Sequence, residues 1–168
     1  SDIDPHLTVF CARDEAGTGI ELVFGCDGYS QSIDTVLFLV AAAPEINHIK
    51  VLAFNPRVEH IPEAIEIGDA VLELDELFFG LRNIGEELHL DLYLEDLPIL
   101  EDAPETDAAL MFLDAIVGEY DLMTRIHSVN WLDLPEDPID HGLKPLIELR
   151  QQFDLLRPKR PALGEALH

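Results

Sequence analysis

The sequence predicts an α+β fold, a mainly antiparallel sheet with two to three helices packed on one face. Three observations predict it. Leu88–Leu94 (LHLDLYL) alternates apolar and polar residues, the period of a half-buried strand. Ala109, Phe112, Leu113, Ile116 and Val117 recur at the i, i+3, i+4, i+7, i+8 spacing of one helix face. The remaining strand patterns are short and joined mostly by turns, which suits helices segregated to one side of an antiparallel sheet.

The elements follow in chain order. His6–Arg13 (HLTVFCAR) and Ile20–Cys26 (IELVFGC) read as two strands around the glycine-bearing turn Asp14–Gly19, so a hairpin is expected. Ser32 caps a helix over Ile33–Ala43, which Pro44 stops because the residue before a proline is pushed out of the α region. Lys50–Asn55 is a short apolar strand, giving a β–α–β unit over residues 20–55. Ala64–Ile67, Val71–Leu74 and Leu77–Leu81 are short strands, followed by Leu88–Leu94 with Leu88, Leu90, Leu92 and Leu94 inward and His89, Asp91 and Tyr93 outward. Glu95–Thr106 is an acidic loop, and Thr106 is the expected N-cap of the helix that follows. Gly118 ends that helix and is free to take positive φ. Glu119–Asp121 reads as a tight turn into a strand over Thr124–Trp131, and Lys144–Leu156 as a last helix. The expected order is β-β-α-β-β-β-β-α-β-α, in one domain over residues 1–156 with a flexible basic tail over 157–168.

Charge restricts the partners. The chain has 168 residues and a net charge of −24, from 34 acids and 10 bases. Phosphate-rich surfaces would be repelled, so neither nucleic acid nor an anionic membrane is expected as a partner. From Val58 to Thr124 the one basic residue is Arg82, whereas Lys144, Arg150, Arg157, Lys159 and Arg160 gather toward the C-terminus. An acidic surface of this kind permits a basic protein partner, a cation, or simply an ordinary solvated acidic shell. The longest apolar run, Val36–Ala43, is too short to span a bilayer. No signal peptide is legible at Ser1–Asp4, so a cytoplasmic location is expected. Cys11 and Cys26 form no CxxC, and both are expected to be buried thiols.

Chemistry is sparse. The seven histidines form no HxH, HxxxH or HExxH spacing, so no metal site is expected, and no cofactor either. GxSxG, GxxxxGK[ST] and GxGxxG are absent from the sequence. Glu119, Asp121, Arg125 and His127 gather after Gly118, and carboxylates beside a His are the materials of general acid–base chemistry. They are the weak catalytic candidates of a hydrolase-like alternative. Glu95, Asp96, Glu101, Asp102, Tyr120 and Trp131 are the candidates for contact with a partner.

Leu22–Gly28 (LVFGCDG), Leu39–Ile46 (LVAAAPEI), Val51–Arg57 (VLAFNPR) and Leu113–Trp131 (LDAIVGEYDLMTRIHSVNW) resemble a bacterial family of uncharacterised domains, catalogued as domain of unknown function 695. The resemblance covers about residues 20–155, and Leu113–Trp131 is its most specific motif. Such domains are sometimes adjoined to domains similar to the B-type inhibitory regulator of ribonuclease E activity, a small acidic α+β protein. The resemblance therefore implies an acidic binding module, and it transfers no catalytic residues. The expected function is a non-enzymatic interaction or regulatory module for a basic partner, with a homodimer through an exposed sheet edge as a further possibility.

Overall fold

The computed structural model describes residues 3–96 and 103–156. Glu101, Asp102 and the expected tail lie outside the described residues. The described chain is α+β, with four helices and three sheets. The first sheet orders β1 (Thr8–Arg13), β2 (Ile20–Gly25) and β3 (Ile49–Ala53), with β1–β2 antiparallel and β2–β3 parallel. Helix α1 (Ile33–Ala42) makes the crossover from β2 to β3, as the β–α–β pattern requires. A hairpin of β4 (Ala64–Ile67) and β5 (Ala70–Glu73) is the second sheet. The third holds β6 (Phe78–Ile84), β7 (Glu87–Leu94), β8 (Ser128–Asp133) and β9 (Lys144–Pro145) in the order β8-β7-β6-β9. Its β7–β6 and β6–β9 junctions are antiparallel, and β7–β8 is parallel.

Two apolar clusters fill the fold. The larger joins Leu88, Leu90, Leu92 and Leu94 of β7 to Ala109, Phe112, Leu113 and Ile116 of α2 (Pro104–Val117), and to Leu149 and Phe153 of α4 (Leu149–Leu156). The period-two and period-3.6 patterns therefore meet face to face, as the sequence requires. The smaller joins Cys26, Ile33, Val36 and Phe54 between α1 and the first sheet.

Several boundaries differ from the sequence reading. Helix α2 begins at Pro104 with Ala103 as its N-cap, so Thr106 lies inside the first turn and caps nothing. Proline is well suited to that first position, since its missing N–H is one of the unsatisfied donors there. The Glu119–Asp121 turn is the start of a helix, α3 (Glu119–Arg125), and the next strand begins only at Ser128. An Arg125–Asp121 ion pair at i, i+4 supports the helical turn at Thr124 and Arg125, and the chain becomes extended only at Ile126. Lys144–Pro145 pairs as strand with Phe79 and Phe78, because a residue ahead of proline favours extended backbone. Cys26 is buried but Cys11 is exposed, since β1 is an edge strand with little cover on either face.

Candidate functional site

The motifs of the sequence converge on one joint between the two apolar clusters. Gly118 sits between α2 and α3 at φ 94°, a conformation that favours glycine, and a Cβ there would meet the Arg57 side chain at 3.5 Å. This bend sends Glu119 inward, where it is only 4 % exposed. Its carboxylate accepts from the Asn55 N–H at 2.8 Å, the Asn55 side-chain amide at 3.2 Å and the Cys26 N–H at 3.4 Å. Gly25 leaves room for it, because a Cβ at that position would stand 2.9 and 3.0 Å from the two carboxylate oxygens. Glu119 thus ties the ends of β2 and β3 to the start of α3. Buried charge is tolerable only when hydrogen-bonded in this way.

The rest of the joint is equally structural. Tyr120 stacks on Phe54 with ring centroids 5.2 Å apart, and Phe54 adopts a positive φ of 64°. Arg57 clasps Asp154 with two hydrogen bonds of 2.9 and 2.6 Å and donates to the Val117 carbonyl at 2.9 Å. Arg150 donates to the Ile116, Ala115 and Val58 carbonyls at 2.9, 2.8 and 2.8 Å. Two arginines therefore satisfy the carbonyls that the end of α2 leaves without helical partners. Burial pushes the Asp114 carboxyl up to about 7, with Glu119 and Asp27 adding repulsion. Burial, then Glu119, Asp4 and Asp27, pushes the Cys26 thiol up to about 11, so it is a neutral thiol at physiological pH.

The four catalytic candidates do not work on one another as a set. Glu119 holds backbone, Asp121 pairs with Arg125, and His127 stands 3.4 Å from Glu87. Tyr120 and Trp131 are part-buried against the smaller and larger cluster respectively, so neither is a free surface anchor. No protein-family model, curated protein or solved structure matches this chain.

Two surface features are legible only in three dimensions. The first is a groove built from two adjoining concavities that share Asp75 and Phe78. One, of about 690 Å³, adds Glu63, Glu73, Leu74, Pro145 and Ile147; the other, of about 700 Å³, adds Glu76, Glu95, Asp96, Asp133, Pro135 and Glu136. Among the described residues eight carboxylates line the pair, beside the apolar Phe78 that the two parts share, and no Lys or Arg lines either part. Glu95 and Asp96, two of the partner-contact candidates, are here.

The second feature is on the outer face of β7. Asp91, expected in solvent, is 6 % exposed. It accepts from Arg82 Nη2 at 2.8 Å and from the Asn130 amide at 2.9 Å. The Arg82 hydrogen bonds, helped by Asn130, hold its carboxyl below the usual range. Asn130 also donates to Ser128 Oγ at 3.4 Å, and Ser128 Oγ lies 2.7 Å from His89 Nδ1. The parallel register sets His89 opposite Ser128 and Asp91 opposite Asn130, so this polar chain follows from strand pairing. At its end, donor atoms of Glu87, His89 and His127 lie within 4.8 Å of one another.

Proposed function

We propose that this chain is a non-enzymatic interaction module whose acidic groove takes a basic protein segment bearing an apolar anchor. The described lining of the groove supports this reading: eight carboxylates and no Lys or Arg among the described residues, beside the exposed Ile147 and the shared Phe78. A net charge of −24 adds long-range attraction for such a partner. Complementary charge speeds association and selects the partner, and the apolar floor slows its release. The resemblance to the uncharacterised bacterial family points to the same class of role. The hydrolase alternative needs Glu119, Asp121, Arg125 and His127 around one cleft, whereas Glu119 holds the Asn55 backbone, Asp121 and Arg125 pair with each other, and His127 stands beside Glu87.

Fluorescence anisotropy with a synthetic peptide of Lys and Arg flanking a Leu pair tests the reading. Binding at low salt that weakens steeply as salt rises is expected. Glu95→Lys with Asp133→Lys should weaken it by at least ~10-fold, about 1.4 kcal/mol. Glu15→Lys, at the exposed turn between β1 and β2, should leave it within about twofold. Equal loss from the groove and the distant reversal, or no binding at low salt, would overturn the assignment. Light scattering on the free protein separately reports whether it is a homodimer.

A further inference from the structure

We propose that Glu87, His89 and His127 bind a borderline divalent cation, zinc foremost, at the head of the β7–β8 junction. Two imidazoles and a carboxylate are a donor set for such an ion, leaving a further position for water. They come from two strand starts that the parallel ladder aligns. His89 pairs with Ser128, and the His127 N–H donates to the Leu88 carbonyl at 2.7 Å. Glu87 is the first residue of β7, two before His89, so their side chains share a face.

The spacing is near that of ligands around an ion, with one ligand atom of each residue within 4.8 Å of the others. Glu87 Oε2 lies 3.6 Å from His89 Nε2, and Glu87 Oε1 lies 3.4 Å from His127 Nδ1. Ligands held at ~2.1 Å around a tetrahedral centre stand about 3.4 Å apart. The two imidazole rings are 4.9 Å apart between centroids and inclined at 58°. Both separations to Glu87 are long for hydrogen bonds, and a cation between the three groups would use the lone pairs they present.

A second observation points to the same place. Among the described residues His89 Nε2 is the one buried side-chain nitrogen or oxygen with no hydrogen-bond partner. Buried polar atoms are rarely left so, and one aimed at a carboxylate and a second imidazole marks a ligand position. The other ring nitrogen is already held by Ser128 Oγ. With the proton on Nδ1 donated to that oxygen, Nε2 presents its lone pair to the cation. Ser128 is in turn held by Asn130, Asn130 by Asp91, and Asp91 by Arg82. Metal-binding histidines are oriented by support of this kind. Exposure divides the roles: the His89 side chain is 12 % exposed, those of Glu87 and His127 53 % and 54 %. His89 is the fixed ligand, and the other two close on the ion from the surface. The site is separate from the acidic groove, and neither proposal needs the other.

The test uses untagged full-length protein stripped with EDTA and titrated with ZnCl2 by calorimetry. Physiological salt and millimolar MgCl2 occupy the exposed carboxylates. One saturable zinc site per chain is expected, with affinity falling as pH drops because protons compete with the metal for its ligands. His127→Ala, at an exposed position and with its fold checked by circular dichroism, should lose more affinity than Ser128→Ala. Ser128→Ala removes only the support of His89 and should cost about 10–100-fold. His60→Ala, at an exposed histidine beside Glu59, should change nothing. The cobalt(II) form should show visible bands of a low-coordinate site that are lost in His127→Ala. No saturable zinc binding, or binding undiminished in His127→Ala, would overturn the site.

Discussion

Asp114 shows how one buried side chain gives the fold a pH dependence. Its carboxyl titrates at about 7, mainly because burial disfavours the charge, and Glu119 and Asp27 add to it. The unfolded chain releases that proton near the ordinary ~3.9. Below pH ~3.9 both states are protonated, and the favourable contribution of the neutral carboxyl is complete. As pH rises toward 7 the unfolded state ionises first, so this contribution falls away; above 7 the charge counts against the fold in full. Asp114→Asn removes the ionisation. Its unfolding free energy should match wild type near pH 4 and exceed it by roughly 1–2 kcal/mol at pH 8. That is well below a full conversion at ~1.4 kcal/mol per pH unit, because the group is partly solvated. Urea titrations at the two pH values measure it, and an equal difference at both would exclude the ionisation as cause. Gly118 is the residue whose role was legible in sequence, since a helix pattern ending on glycine predicts the positive φ it adopts. Glu119 was not legible. Its partners Asn55 and Cys26 are 64 and 93 residues away, and no local pattern separates a carboxylate that holds backbone from one that does catalysis.

At the scale of elements, α2 depends on residues far outside itself. The Ala115 and Ile116 carbonyls accept from Arg150, and the Val117 carbonyl from Arg57. Arg150→Met keeps the apolar stem and removes the donors. It should destabilise the protein by about 1–3 kcal/mol, seen as a lower denaturant midpoint at unchanged m value. Arg150→Lys should recover less than half of the loss, because an ammonium cannot span the three carbonyls that the guanidinium reaches. The strand at Leu88–Leu94 and the core face of α2 were legible because each repeats a single period over several residues. Helix α3 was not, because seven residues give too little period. The strand at Lys144–Pro145 precedes the apolar spacing of Leu146, Leu149 and Phe153, which is helical, and follows from pairing with β6.

The whole molecule carries a charge of −24, which repels itself when the chain is compact. Raising NaCl from about 0.05 to 0.5 M shortens the screening length several-fold and should raise the melting temperature by a few degrees, most simply by scanning calorimetry. An unchanged or lower value would show that local pairs such as Arg57–Asp154 outweigh the general repulsion. Among the described residues no helix is long and apolar enough to cross a membrane. By itself the sequence determined the α+β class, the principal helix and strand with their buried faces, and the acidic excess. These are set by local period and composition. Only the tertiary structure decided that Gly25, Cys26, Asn55, Arg57 and Glu119 meet at one joint. The same is true of the groove, where carboxylates of β5 and β8 meet those just before β4 and just after β5, β7 and β8. It is true again of Glu87, His89 and His127, where a parallel register aligned two strand starts. In each case the deciding interactions join residues distant in sequence, and only the paired strands and packed helices fix which of them become neighbours.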